Sequence, residues 1–150
     1  MKKEIIVIGI LVFIIFVGLS GCEEKTDIEN NIIGSWKLEE TIITIDDNTT
    51  SFKDEENYTI TTYYDNGTAK FELIGSLPRP PYAPNPGDMI WVKYKIENNN
   101  KIIYSNLTGN GTFTRNISIS ENGENLSLTH EEEINYGEFY REILRYIKIE

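Results

Sequence analysis

The chain has one cysteine, Cys22, and one histidine, His130. A single thiol excludes an internal disulfide, so a folded domain must hold together by packing alone. A lone imidazole followed by Glu131-Glu132-Glu133 lacks the converging ligands that a metal site requires. Basic residues are scarce: 14 Lys and Arg stand against 24 Asp and Glu, for a net charge of −10. Phosphate contacts need clustered cations, so this balance argues against nucleic acid and against adhesion to an anionic surface. There is no nucleophile elbow, phosphate loop or paired His-Ser signature. The sequence therefore names no catalytic residue, no cofactor and no metal, and an enzyme is not expected. Proline is confined to one loop, at Pro78, Pro80, Pro81, Pro84 and Pro86. Proline cannot donate to a sheet ladder, so that loop is an extended, exposed connection and the rest of the chain is free to pair.

Long apolar runs are also rare, and the one present is at the N-terminus. Lys2 and Lys3 precede an apolar stretch from Ile5 to Leu19. Its roughly 15 residues suit a signal-peptide core and fall short of the ~20 that span a bilayer comfortably. Leu19-Ser20-Gly21-Cys22 follows at once. This tetrapeptide resembles the lipobox of prokaryotic lipoproteins. The resemblance implies cleavage before Cys22 and a diacylglyceryl thioether on its sulfur. One acyl chain anchors marginally at ~0.8 kcal/mol per buried CH2, so a two-chain group provides stable residence. The other reading is an uncleaved membrane helix with an incidental cysteine, and both place residues 23–150 outside the cell. The expected organisation is a signal peptide over 1–21, a lipidated flexible spacer over 22–32 and one folded domain over 33–150. The expected location is the extracytoplasmic face of the cell membrane, with the lipid on Cys22 as the membrane contact.

From Ile33 the hydrophobic period is two, which predicts strands. Trp36, Leu38, Glu40 and Ile42 share a face of the first, and Tyr58, Ile60, Thr62 and Tyr64 alternate along the second. Asp65-Asn66-Gly67 predicts a tight hairpin, with Asn-Gly suited to a type I′ turn. Ala69, Phe71 and Leu73 form the returning face. Further strands run from Ile90 to Ile96, through Ile102 and Tyr104, along Phe113, Arg115, Ile117 and Ile119, and along Leu126, Leu128 and His130. The last segment, 139–149, fits a strand with Ile143, Ile147 and Ile149 beside Arg141 and Arg145. It also fits a helical stripe of Tyr136, Tyr140, Ile143 and Ile147, and its Ile/Tyr content favours the strand. About eight antiparallel strands joined by short turns predict an all-β, up-and-down barrel, since closure removes exposed sheet edges.

Gly34-Ser35-Trp36 resembles the Gly-x-Trp start of lipocalin-like families. Tyr64-Asp65-Asn66-Gly67-Thr68 and residues 119–128 resemble the hairpins of small prokaryotic lipocalin-like domains. The resemblance spans residues 33–150 and implies a lipocalin-like barrel with a structural group of Gly34, Trp36 and a last-strand arginine. Arg145 or Arg141 is the expected cation over the Trp36 ring. It also implies non-catalytic binding of a small or apolar ligand or an envelope component. The alternative is a structural or interaction module with a filled core. No Thr-Asp-Tyr segment and no disulfide accompany these motifs.

Glu40, Arg115 and His130 are polar residues on otherwise apolar faces. They are candidates to hold the polar end of a bound molecule, or else to stand at the barrel rim in water. Asn48, Asn57, Asn66, Asn106, Asn110, Asn116 and Asn125 each begin an Asn-x-Ser/Thr triplet. This exceeds the chance expectation for the Ser and Thr content and suggests glycosylation of an exposed surface, although turns and strands also favour these residue types.

Overall fold

Alternation of apolar and polar residues, punctuated by Asn- and Gly-rich turns, produces nine strands among the described residues. The computed structural model describes residues 27–75, 87, 89–107, 111–134 and 138–150. Cys22 and the proline loop lie outside them. A short helix, α1 (Asp27–Asn31), leads into β1 (Gly34–Ile45), β2 (Asn48–Phe52), β3 (Tyr58–Tyr63), β4 (Thr68–Ile74), β5 (Met89–Glu97), β6 (Lys101–Asn106), β7 (Thr112–Ile119), β8 (Asn125–Ile134) and β9 (Glu138–Lys148). The neighbour order is β1-β3-β4-β5-β6-β7-β8-β9, and β9 pairs back onto β1. All of these pairings are antiparallel. The result is a closed eight-stranded up-and-down barrel, which leaves no free edge around its wall.

β2 is the ninth strand and was not expected, because Asn48-Thr49-Thr50-Ser51-Phe52 has no apolar alternation and every residue is exposed. It forms because β1 is longer than the wall needs. The first residues of β1, Gly34 to Lys37, pair with β3, and its last, Thr41 to Ile45, pair with β2. Residues 139–149, open between strand and helix in the sequence, lie in β9 except at the end, which settles on the strand.

Residues 22–32 are not a spacer throughout. Asp27–Asn31 is helical, and Ile32 is fully buried. Ile28, Ile32 and Ile33 pack against the barrel core, and the Trp36 indole N–H donates to the Ile32 carbonyl at 2.7 Å. The folded unit therefore begins before residue 33. Its apolar residues close the end of the barrel where β1 begins and β9 finishes.

One turn differs from expectation in backbone detail. At residues 64–67 only Gly67 takes a positive φ, of 76°. Its N–H donates to the Tyr64 carbonyl at 3.2 Å, while the Asn66 side-chain carbonyl accepts from the Thr68 N–H at 3.0 Å. That is a type I turn followed by a glycine bulge rather than type I′. The type I′ geometry falls at Asn98 and Asn99, with φ of 52° and 56°. Gly34 is required for a different reason. A Cβ there would lie 2.3 Å from the Glu150 carbonyl oxygen, which accepts from the Ser35 N–H at 3.0 Å and seals the closed end.

Candidate functional site

The interior has two halves. Near the closed end it is filled by Trp36, Tyr63, Tyr104, Ile102, Leu126 and Leu128, each under about 2% exposed. Burying a large apolar side chain contributes roughly 1.5–3 kcal/mol, so this half carries most of the stability. Tyr63 and Tyr104 reach across it and share a short hydrogen bond between their hydroxyls. Tyr63 also meets Tyr94 edge to face at 5.1 Å. Burial pushes the hydroxyls of Tyr63 and Tyr104 well up, and that of Tyr146 to about 12.

Toward the other end the inward-facing side chains change in character. Arg115 on β7, His130 on β8 and Glu142 on β9 lie in one row, set by the register Asn116↔Thr129 and the pairing His130↔Glu142. Arg115 Nη2 donates to Glu142 Oε2 at 2.6 Å, and both side chains are about four-fifths buried. Arg115 Nη1 is buried and has no hydrogen-bond partner. His130 Nε2 is 3.6 Å from Glu132 Oε2. The Tyr140 ring lies 6.5 Å from the imidazole. Burial, with a contribution from the Glu142 charge, raises the Tyr140 hydroxyl. Above this row, Phe113 stacks on Tyr104 at 4.7 Å yet stays 50% exposed. Ile90, paired with Phe71 on the inner face, is 43% exposed. Phe113 and Ile90 are thus inward-facing apolar groups that water still reaches.

The candidate residues divide between the two faces of the wall. Arg115 and His130 face inward, as their strands' alternation requires. Glu40 does not. The β1–β9 register shifts between Leu38 and Glu40, so Leu38 pairs with Tyr146 but Glu40 pairs with Arg145. The extra residue, Glu39, is a bulge that reverses the parity of β1. Glu40 therefore points outward, where Ser51 Oγ donates to it at 2.6 Å and Arg145 Nη1 at 2.8 Å. These bonds, with the Ser51 one largest, hold its carboxyl below the usual range.

The same parity removes both arginines from Trp36. Trp36 pairs with Lys148, and the inner face of β9 carries Tyr140, Glu142, Leu144, Tyr146 and Lys148. Lys148 Nζ stands 5.2 Å from the Trp36 ring and donates to the Asn31 carbonyl at 3.2 Å. Arg141 and Arg145 are on the outer face, bound to Glu131 at 2.9 Å and Glu40 at 2.8 Å. Glu142 and Lys148 went unnoticed in the sequence because Ile143, Ile147 and Ile149 made the opposite face look like the apolar one.

Outside the barrel, a groove of about 490 Å³ runs between Glu40, Lys53, Ser118, Ser127 and Arg145. Of the sequon asparagines, Asn48, Asn66, Asn106, Asn116 and Asn125 are exposed. Asn57 is half-buried and donates to the Asp54 carboxylate at 3.1 Å. Asn110 and Cys22 lie outside the described residues. Among the described residues no three His, Cys, Asp or Glu side chains converge as metal ligands, and no helix is long and apolar enough to cross a membrane.

Strand order and closure define an eight-stranded antiparallel up-and-down barrel. No family model and no curated protein matches the chain. Among solved structures it is similar to lobster apocrustacyanin A1, with 12% identity and a TM-score of 0.39. The match covers 84% of this chain and 65% of the lobster chain, so this chain spans about two thirds of that protein's length.

Proposed function

We propose that the chain is a non-catalytic binding barrel, held on the extracytoplasmic face of a membrane by lipid on Cys22. Its open half takes a small apolar molecule or the apolar part of an envelope component. The observation that carries this reading is the exposure of inward-facing Phe113 and Ile90 above the buried Arg115–Glu142 pair. Binding cups combine apolar walls with a few placed polar groups in this way. Cys22 precedes α1 by five residues, a reach of at most about 17 Å in an extended chain. In this reading the tether joins the chain at the end that α1 closes. Asn48, Asn66, Asn106, Asn116 and Asn125 are the accessible positions for glycans.

The second reading is a structural or interaction module without a ligand, favoured by the filled half around Tyr63 and Tyr104. Native mass spectrometry of protein purified from its own membrane separates the two. A retained non-covalent molecule supports the binding barrel, and its consistent absence supports the module. The same spectrum reports lipid on Cys22 and any glycans. Cys22→Ser is expected to move the chain out of the membrane fraction, and continued membrane residence of that variant sinks the lipid-anchor reading.

A further inference from the structure

Arg115 is held by one arm only. Nη2 is committed to Glu142, while the buried Nη1 donates to nothing. A buried guanidinium N–H without an acceptor is destabilising, and native proteins place a water or a ligand atom at such a point. The residue directly mouthward on the inner face of β7 is Phe113, whose ring lies 6.0 Å from the guanidinium carbon. Phe113 is half exposed.

The charge around Nη1 decides what the missing acceptor is. Glu142 already neutralises Arg115, and Glu132 adds a further negative charge beside His130. Tyr104 and Tyr140, the other inward groups nearby, are hydroxyls that carry no charge at neutral pH. In a chain of net charge −10, an incoming carboxylate would meet uncompensated repulsion. A neutral oxygen acceptor meets none. Phe71, Phe113 and Ile90 leave only apolar contact for the rest of the molecule.

We propose that the cup selects a diffusible, uncharged molecule that leads with a carbonyl oxygen, bonded by Arg115 Nη1, with its apolar body against Phe113, Phe71 and Ile90. This rests on the reading of the open half as a binding cup. It is tested with the full-length chain in lipid nanodiscs, with empty nanodiscs as control, and three probes that share one body. These are 4-phenylbutan-2-one, butylbenzene and 4-phenylbutanoate, titrated by NMR. The ketone is expected to bind at least ten-fold tighter than the other two and alone to shift the Arg115 Nη resonance. Arg115→Lys is expected to abolish that preference by weakening ketone binding. Equal binding of ketone and hydrocarbon, with a silent Nη signal, overturns the carbonyl assignment and leaves the cup standing. Tightest binding by the carboxylate overturns the charge argument. If none of the three binds, the cup reading itself falls and this proposal with it. The wild-type comparison decides the matter even if the Arg115 variant fails to fold.

Discussion

The two halves of the barrel interior are built from the same strands and the same alternation, yet they differ in chemistry. Below the Arg115–His130–Glu142 row, inward positions are apolar or aromatic and closely packed, with α1 and Ile32 closing the end. On β7, β8 and β9, from that row to the other end, they are charged, or apolar but exposed as at Phe113. The difference separates stability from binding. One half carries the hydrophobic stabilisation, so the other can keep an unfilled hydrogen-bonding site that a core could not tolerate.

The contrast can be broken most severely at Trp36. Trp36→Ala leaves a large cavity and removes the bond to Ile32, and should cost about 3–5 kcal/mol in urea unfolding. A loss below about 1 kcal/mol would show that the closed half is not the stabilising one. Next comes Glu142→Leu, which strands the mostly buried Arg115 cation and should cost on the order of 3 kcal/mol. The double variant Arg115→Met/Glu142→Leu should recover most of that. If single and double variants are equally destabilised, the pair is not desolvated as described.

Alkaline titration sharpens the comparison further. Tyr146 is pushed up to about 12, first by burial, and Tyr63 and Tyr104 are raised well above their ordinary value. The unfolded chain releases these protons near pH 10, so above that pH the folded state binds more of them. The stabilisation is complete below pH 10 and is lost as pH rises toward about 12, at roughly 1.4 kcal/mol per pH unit for each such tyrosine. Denaturant midpoints measured from pH 8 to 11 should be level at first and then fall. A flat profile throughout would mean that water reaches these hydroxyls.

The smallest effect is expected on the outer wall. Arg145→Ala removes an exposed ion pair with Glu40 and should change stability by no more than about 0.5 kcal/mol. It should leave Trp36 fluorescence unchanged, whereas Lys148→Ala should alter it. The reverse pattern would restore Arg145 to the tryptophan.

Much of the fold was legible because a period of two survives in the strands whose inner face is apolar. Phe113, Arg115, Ile117 and Ile119 share a face in β7 as their spacing predicts. Where both faces carry large apolar residues, as in β9, parity could not be read, and Glu142 and Lys148 were hidden among isoleucines. β2 was hidden for the opposite reason: it buries nothing and exists only because β1 offers it an unpaired edge. Glu40 was misplaced because a one-residue bulge leaves no mark in the Leu38-Glu39-Glu40 run.

The sequence by itself determined the strand class, the places of most turns, the lack of a disulfide and the expectation of lipid on Cys22. Each follows from local chemistry: alternation, turn-forming Asn and Gly, and a single thiol after an apolar run. Only the tertiary structure decided which polar side chains face inward, because that depends on the register between strands distant in the chain. It is register that brings Glu142 to Arg115 across β8, leaves one guanidinium nitrogen without an acceptor, and turns Glu40 and Arg145 to the outside.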